Sequence, residues 1–244
     1  MVLREMKLGS AILKSLGDLD TTVISNYMIG LCIFHLYASK EYKGELIGQI
    51  SKDAPARSDV NSRVHQLLRD GILNELGAGV YSLIGRPHPD ANAIACAIDP
   101  FCYVSHLSAM EFHGLTERIP TKLHLTSVTG PQWKEYAVNK MEKDLSDDYA
   151  KYTEEGLPSL TKKMPSKIGK TEISIINTKN THSGSFKSFK DRSIRVSTIG
   201  RTFLDMLKKP NLCGGLKHVI SVYEEHAEIY LRLILTEIDR QGSI

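Results

Sequence analysis

Apolar and polar residues between Lys43 and Leu83 change their spacing three times, and each change predicts a new structural element. Residues 44–51 have the apolar spacing of a short amphipathic helix. The polar segment that follows contains Pro55, which lacks a backbone N–H and disfavours continuation of a helix. The sequence therefore predicts a first helix over residues 44–51 and a turn over residues 52–57.

A second helix is predicted over Ser58–Asp70, where Val60, Val64 and Leu67 repeat at helical spacing. Its first residue, a serine, is a favoured N-cap, and Gly71 follows its last turn as a C′ glycine does. Two short apolar runs then predict a β-hairpin. These runs are Ile72–Leu76 and Val80–Leu83, joined by Gly77–Gly79.

Helix, turn, helix and hairpin in this order are the pattern of a winged helix-turn-helix that binds DNA. The second helix would enter the major groove, where Arg, Asn and Gln side chains can pair with base edges. The residues predicted to lie at the bases are Arg57, Ser58, Asn61, Ser62, Arg63, His65 and Gln66. Lys43, Lys52 and Arg86 are better suited to phosphates, which position a protein without specifying sequence. A solvated polar face is the alternative for the helix alone, and the turn and hairpin favour DNA.

The chain is predicted to divide into three segments. Residues 1–38 form an N-terminal helical extension, residues 39–86 the winged helix-turn-helix, and residues 87–244 a C-terminal domain. Two prolines in Arg86–Pro89 stiffen the backbone at the second boundary. Residues 133–170 hold eight Lys and seven Asp or Glu, which predicts a surface insertion with a helix over Trp133–Tyr152. The predicted fold class is α+β (mixed).

Short strand-like runs alternate with capped helices in the C-terminal segment. The strand predictions are residues 101–104, Lys122–Val128, Glu172–Thr178 and Ile194–Ser197. The helix predictions are residues 90–98, Ser105–Gly114, Thr198–Leu207 and Leu216–Glu237. The basic segment Lys179–Arg192 predicts a hairpin arm between two of the strands.

The charge balance is only mildly basic. The net charge is +3, and residues 40–86 hold seven Lys or Arg against six Asp or Glu. A positive field must therefore come from the arrangement of charges, and a homodimer on an inverted-repeat operator would supply the remaining affinity. Binding to DNA should weaken as salt is added.

The cysteines and apolar runs indicate a cytoplasmic protein. Cys32, Cys96, Cys102 and Cys213 are scattered without a Cys-x-x-Cys pair, as expected for reduced thiols. The N-terminal residues lack a sustained apolar run that would mark a signal peptide. The apolar stretch Val23–Tyr37 is shorter than the roughly twenty residues of a membrane span, so no membrane association is expected.

Catalytic and metal sites are not predicted, and neither is a cofactor. Ser105 and Ser108 are expected to cap and begin a helix rather than act as nucleophiles. Asp205 is expected to pair with Arg201 one turn earlier. Cys96, Cys102, His106 and His113 could be drawn as a zinc set, but ordinary core thiols and hydrogen-bonded imidazoles are the favoured interpretation.

Several blocks of the sequence occur in the order typical of one family. The blocks are Val80–Leu83, Asp99–Ser105, Ser108–Thr116, Ile119–Pro120, Val196–Leu207, Pro210 and Cys213–Leu216. Together they resemble the AbiEi family of antitoxins, and they cover roughly residues 45–230. The longer insertion at 133–170 and the N-terminal extension depart from that pattern.

The resemblance implies a winged helix joined to an α/β antitoxin domain. Such a protein represses its own operon through inverted repeats and counteracts a neighbouring nucleotidyltransferase toxin, in abortive infection against phage. The expected partners are double-stranded operator DNA and that toxin, whether or not the two proteins form a complex. The basic surface proposed for neutralisation comprises Lys179, Lys187, Lys190, Arg192 and Arg195, although a solvated hairpin is the simpler interpretation. The alternatives are a transcription regulator whose C-terminal domain binds a small effector, and a nuclease that the winged helix directs to DNA.

Overall fold

The computed structural model describes residues 5–48, 50–179 and 185–242, and its fold is α+β. The elements of the first half are α1 (Leu8–Gly17), β1 (Val23–Ser25), α2 (Asn26–Ser39), β2 (Glu41–Tyr42), β3 (Glu45–Leu46), α3 (Arg57–Arg69), β4 (Leu73–Gly77), β5 (Val80–Leu83), α4 (Ala91–Ile98), β6 (Tyr103–Val104) and α5 (His106–Phe112). Those of the second half are β7 (Lys122–Val128), α6 (Gly130–Leu145), α7 (Tyr149–Glu154), β8 (Lys167–Ile168), β9 (Thr171–Thr178), β10 (Phe186–Phe189), β11 (Ile194–Ser197), α8 (Ile199–Lys208) and α9 (Leu216–Gln241).

The chain forms two compact units, each built from two stretches of sequence. Unit 1 comprises Met1–Pro89 and Glu135–Lys162, and unit 2 comprises Asp90–Lys134 and Lys163–Ile244. The predicted boundary after residue 86 lies close to the observed one at Pro89. The predicted boundary after residue 38 falls inside unit 1, because β1 pairs with β5 on the far side of it.

Unit 1 contains α1, α2 and α3 together with an antiparallel sheet of order β1-β5-β4. Ser25 caps α2 by accepting a hydrogen bond from the Met28 N–H at 3.2 Å. The side chains of Ile29, Ile33 and Phe34 on α2 are fully buried, so this helix lies at the centre of the core. A central helix of this kind needs apolar residues on most of its surface, which explains the apolar stretch over Val23–Tyr37.

The prediction of a helix over residues 44–51 was wrong. Glu45 and Leu46 form β3, which pairs with β2 in a small antiparallel hairpin, and Ile47 bridges Met6. Lys43 and Gly44 turn the chain with φ angles of +50° and +81°, which a helix does not accommodate. Gln49 lies outside the described residues.

The segment predicted as a surface insertion instead completes the core of unit 1. Met141, Leu145, Tyr152 and Leu157 are all buried there, in one cluster with residues of α2. Met141 and Leu145 lie one turn apart on α6, Tyr152 lies on α7 and Leu157 follows it, while most charged residues of the two helices are exposed. The high charge content of residues 133–170 therefore concealed a narrow apolar stripe.

Unit 2 is organised around a mixed six-stranded sheet of order β10-β11-β6-β7-β9-β8. The β11–β6 and β7–β9 pairs are parallel, and the other pairs are antiparallel. α8 and α9 lie close together at Gly200, where a Cβ atom would collide with the Leu233 carbonyl oxygen. Only glycine permits this approach between the two helices.

Most of the predicted elements of unit 2 are confirmed. The strands over Lys122–Val128 and Ile194–Ser197 have the predicted bounds, and Thr198 caps α8 through the Arg201 N–H. Part of the arm predicted over Lys179–Arg192 is a hairpin strand, because β10 pairs antiparallel with β11. The part of the arm at residues 180–184 lies outside the described residues.

Within residues 5–48, 50–179 and 185–242, no helix combines the length and the apolar character needed to cross a bilayer.

Candidate nucleic-acid interface

The helix predicted to enter DNA is α3, and local interactions fix both of its ends. It begins one residue earlier than predicted, at Arg57, because Asp59 accepts a hydrogen bond from the Ala56 N–H at 3.1 Å. It ends as predicted, since Gly71 has φ +66° and Ile72 donates to the Leu67 carbonyl at 2.9 Å. This Schellman arrangement stops the helix and leads directly into β4.

The apolar stripe of α3 fixes which of its residues reach solvent. Val60, Val64 and Leu67 are buried in the core of unit 1, as predicted. The predicted base-contacting residues that the structure leaves exposed are Arg57, Ser58, Asn61, Ser62, His65 and Gln66, with Arg63 half-buried. Arg69 is exposed on the same side as Ser62, at the C-terminal end. The helix therefore presents a continuous polar face with cations at both ends.

Two of the predicted residues lie on a different flank of α3 from Asn61. Arg63 donates a hydrogen bond to the Gln66 side-chain oxygen at 3.1 Å. Both residues line an open cavity of about 720 Å³ in unit 1, together with Leu8 and Tyr37. Because this pair satisfies itself within the helix, Gln66 is a weaker choice for adenine recognition than Asn61.

The predicted phosphate contacts differ in their surroundings. Lys52 is exposed, whereas Lys43 is bound to Asp18 at 2.8 Å, an ion pair that lowers the pKa of Asp18. The Arg86 guanidinium donates hydrogen bonds to the carbonyl oxygens of Gly17 and Thr21 and so stabilises the C-terminal end of α1. Its assignment to phosphate is therefore corrected to a structural role, because its guanidinium is turned toward the protein backbone.

The β4–β5 hairpin has the position predicted for a wing. Gly77, Ala78 and Gly79 all have positive φ angles, which suits the two glycines and makes a tight reversal. The Gly79 carbonyl accepts a hydrogen bond from the Asn26 N–H at 2.8 Å, which ties the hairpin to the start of α2. The tip has no lysine or arginine, so basic contacts must come from α3 and the turn before it.

The residues predicted to form an antitoxin surface lie in unit 2 and divide into two groups. Lys179, Lys187, Lys190 and Arg192 are exposed, and the Arg192 guanidinium lies 5.7 Å from the centre of the Phe112 ring. Arg195 is different, because its guanidinium donates to the carbonyl oxygens of Cys96, Asp99 and Cys102 at 2.6–2.7 Å. Its assignment to the surface is therefore corrected, since three main-chain acceptors hold it inside unit 2.

The metal interpretation of the cysteines and histidines finds no geometric support. Cys96 and Cys102 lie together beside Arg195, where a hydrogen bond from Cys102 lowers the pKa of Cys96. His113 Nε2 lies 2.7 Å from the Ser197 carbonyl oxygen. In the described part of the chain, no group of three His, Cys, Asp or Glu side chains could hold a metal ion.

A buried polar network lies between β6, α5 and β7 in unit 2. The Ser105 hydroxyl accepts a hydrogen bond from Thr126 at 2.9 Å and lies 2.8 Å from His106 Nδ1. Ser105 makes no side-chain cap of α5, contrary to prediction, because its hydroxyl is engaged in this network.

The predicted ion pair between Arg201 and Asp205 is also buried, with Nε and Oδ1 2.8 Å apart. Burial raises the pKa of Asp205 to about 6, and Arg201 opposes that change.

Acid is expected to destabilise unit 2 through His106. Burial lowers the pKa of His106 to about 3, below its ordinary value of 6.5, so the unfolded chain binds a proton that the folded chain does not. The resulting stability is complete above pH 6.5 and is lost as the pH falls toward 3. Between pH 7.5 and 5 the loss should be about 2 kcal/mol.

Urea unfolding at the two pH values measures this effect. Asparagine tolerates the positive φ of 51° found at residue 106. His106→Asn should therefore reduce the difference between the two pH values by about 2 kcal/mol. An unchanged pH dependence in this variant would mean that other groups, such as His113 and His124, dominate the acid response.

No family model matches the sequence, and no curated protein matches it either. Among solved structures, the crystal structure of the RV2827C protein from Mycobacterium tuberculosis is similar with a TM-score of 0.42 and 9% identity. The similarity covers 99% of this chain and 80% of that one, at a level too low to assign a function.

Proposed function

We propose that the protein is a DNA-binding antitoxin of the AbiEi type, which represses its own operon and counteracts a nucleotidyltransferase toxin. The observation that carries the DNA-binding part is the polar face of α3. Ser58, Asn61 and His65 are exposed on it, and Arg57 stands at its N-terminal end. Arginine and asparagine make the bidentate contacts that distinguish guanine and adenine in the major groove.

The order of elements in unit 1 supports this proposal. Apart from the small β2–β3 hairpin between α2 and α3, a helix, a strand, two helices and a two-stranded hairpin follow one another, and β1 completes the antiparallel sheet beside β5. Winged helix-turn-helix domains have this order, with the second of the paired helices in the major groove. The partner of α3 in this arrangement is α2, which replaces the helix expected over residues 44–51.

The resemblance in sequence supports the antitoxin part. The blocks Ser108–Thr116 and Val196–Leu207 correspond in unit 2 to α5, β11 and α8, and much of their surface is buried. Buried blocks of this kind are evidence for a shared fold. A neutralising surface would consist of exposed residues outside them. Lys187, Lys190 and Arg192 meet that condition.

Binding to the DNA upstream of its own gene tests the proposal directly. Asn61→Ala should weaken binding to this DNA by about 1–3 kcal/mol, roughly 5- to 150-fold, and change binding to random duplex little. The physical reason is the loss of a bidentate contact that only the cognate base offers. Fluorescence anisotropy with both duplexes gives the two affinities.

Gln66→Ala is the matched control for this variant. It removes an amide from the same helix, on the flank where Arg63 already holds that amide. We expect less than a threefold change on either duplex. Equal losses of affinity on both duplexes for Asn61→Ala would contradict base recognition by α3, and the absence of any DNA binding by the intact protein would contradict the proposed function.

Neutralisation requires a separate experiment in cells. The protein is produced together with the nucleotidyltransferase encoded beside it, and colony formation is compared with cells that make the enzyme alone. Protection is the expected result. Full toxicity in the presence of the folded protein would remove the antitoxin role and leave a DNA-binding regulator.

A further inference from the structure

The last helix, α9, exposes many large apolar side chains. Six of the twelve that are exposed within residues 5–48, 50–179 and 185–242 belong to it. These are Leu216, Ile220, Ile229, Leu231, Leu233 and Leu235. A different side of α9 faces the core of unit 2, where Val219, Val222 and Ile234 are buried. Soluble proteins rarely leave so much apolar surface in water unless a partner binds there.

Most of these exposed side chains lie on one flank of the helix. The α9 stripe is defined as Leu216, Ile220, Ala227, Leu231 and Leu235. A repeat of 3.6 residues per turn places these five residues within a sector of about 100°. Ile229 and Leu233 lie on the other flank, where Leu233 lines a cavity together with Ile199. The stripe is therefore a separate apolar surface along most of the length of α9.

A row of charged residues borders the stripe on the side away from the core. The row comprises Lys217, Glu224, Glu228, Arg232 and Asp239, and all five side chains are exposed. In the part of the chain that the structure describes, none of the five forms an ion pair. Their charges are therefore available to a partner.

The positions of these charges are symmetric about Glu228, and their signs are opposite on its two sides. Lys217 and Asp239 each lie eleven residues from Glu228. Glu224 and Arg232 each lie four residues from it. Two antiparallel copies of α9 centred on Glu228 therefore bring Lys217 beside Asp239 of the partner subunit. They bring Glu224 beside Arg232 of the partner subunit in the same way. A parallel pair in register would instead place each charge beside an identical one.

We propose that the protein forms a homodimer through the α9 stripe, with two copies of α9 packed antiparallel about Glu228. The apolar side chains supply the buried area, as where Ile220 meets Leu235 of the partner subunit. The charged row sets the orientation, as charges at the edge of paired helices do. Glu228 meets its own equivalent at the centre, where Arg232 one turn away reduces the repulsion.

This inference goes beyond the proposed function, because the contact lies in unit 2 and requires no DNA. A twofold-symmetric dimer carries two copies of α3, and an inverted repeat offers two equivalent half-sites. Dimerisation therefore supplies affinity that the mildly basic charge of a single chain does not.

A charge placed in the stripe tests the interface. Leu231→Glu should weaken dimerisation about tenfold or more, because burying an unpaired carboxylate is costly. Ile229→Glu is the matched control, since it introduces the same charge on the other flank, at a residue that is 72% exposed. It should leave the dissociation constant of the dimer nearly unchanged. Analytical ultracentrifugation over a concentration series measures this constant, and circular dichroism shows whether each variant is folded.

An exchange of charges tests the antiparallel orientation. Lys217→Glu brings two acidic residues together at both ends of the interface and should raise the dissociation constant about three- to tenfold. Adding Asp239→Lys to the same chain restores opposite signs and should return the constant to its original value. Both changes suit the dipole of α9, because they place an acid near its N-terminus and a base near its C-terminus. A loss in the single variant therefore reports on the partner and not on a weaker helix.

The outcomes separate this inference from the proposed function. A protein that stays monomeric over the whole series overturns the homodimer, while DNA binding by that monomer would leave the proposed function in place. A dimer that Leu231→Glu and Ile229→Glu affect equally overturns the stripe as its interface. No effect of Lys217→Glu, or no recovery in the double variant, overturns the antiparallel pairing. A monomer that binds the nucleotidyltransferase through Leu231 would assign the stripe to that enzyme and likewise overturn the homodimer.

Discussion

Replacing Arg195 with methionine is expected to lower the free energy of unfolding of unit 2 by about 2–6 kcal/mol. The guanidinium is the hydrogen-bond donor for three carbonyl oxygens, those of Cys96, Asp99 and Cys102. These three residues are buried, so water does not readily replace the lost donor. The Asp99 carbonyl keeps its hydrogen bond from the Cys102 N–H at 3.2 Å. The other two carbonyls, of Cys96 and Cys102, lose the Arg195 donor, at a cost of about 1–3 kcal/mol each. Equilibrium unfolding in urea, followed by circular dichroism, measures the change.

Lys187→Met is the matched control for this substitution. Lys187 lies on β10, the strand paired with β11, and its side chain is exposed. Its replacement should change the free energy of unfolding by no more than about 0.5 kcal/mol. Comparable stability of the two variants would contradict the structural role of Arg195. If Arg195→Met also loses protection against the toxin, unfolding and not the loss of a contact surface is the expected cause.

Arg195 also shows why sequence placed some charges wrongly. It alternates with Ile194 and Val196 along β11, and alternation predicts that one face of a strand is exposed. In the structure, α4 approaches that face, since Cys96 accepts a hydrogen bond from the Arg195 N–H at 3.4 Å. The covering helix is ninety-nine positions away in sequence, so local pattern could not reveal it.

Local signals were reliable where the interaction itself was local. Asp90 was expected to cap a helix, and it accepts the Ala93 N–H at 2.8 Å. Gly71 was expected to end α3, and Thr198 to begin α8, and both do so. Each of these features depends on groups within about five residues, which a pattern of side chains can specify.

Predictions failed where short segments depend on tertiary partners. An isolated helix of eight residues, as expected over residues 44–51, is too short to offset its nucleation cost, so neighbouring contacts decide its conformation. In the folded protein, Glu45 and Leu46 of this segment form β3 and pair with β2. The polar face of α3 was predicted from the sequence, but the contact of Tyr152 with Phe34 depends on the packing of α7 in unit 1.

Replacing Tyr152 with alanine is expected to destabilise unit 1 by about 3–5 kcal/mol, because it empties a site in the core that a large aromatic ring fills. The Tyr152 side chain is fully buried, and its hydroxyl donates to the Pro158 carbonyl at 2.7 Å. If residues 133–170 were a surface insertion, as the sequence predicted, the same substitution would change the free energy of unfolding little, because an exposed side chain contributes little to stability. Urea unfolding distinguishes the two expectations.

Tyr152→Phe is the control, because it keeps the ring against Phe34 and removes only the hydrogen bond to Pro158. Its cost should be about 0.5–1.5 kcal/mol. Because α7 and α3 belong to the same unit, Tyr152→Ala should also reduce DNA binding at temperatures where that unit begins to unfold. A stable Tyr152→Ala variant with unchanged binding would contradict the place of residues 135–162 in unit 1.

The same contact determines how the chain can be divided. A fragment of residues 87–244 would keep Met141, Leu145 and Tyr152 but lose α2, against which these residues are clustered. Their exposure would promote aggregation, so loss of protection by such a fragment would not locate neutralisation in the N-terminal half. Single substitutions of exposed α3 residues in the intact chain avoid this problem. Asn61 and Arg57 are exposed, so replacing either of them leaves the core of unit 1 in place.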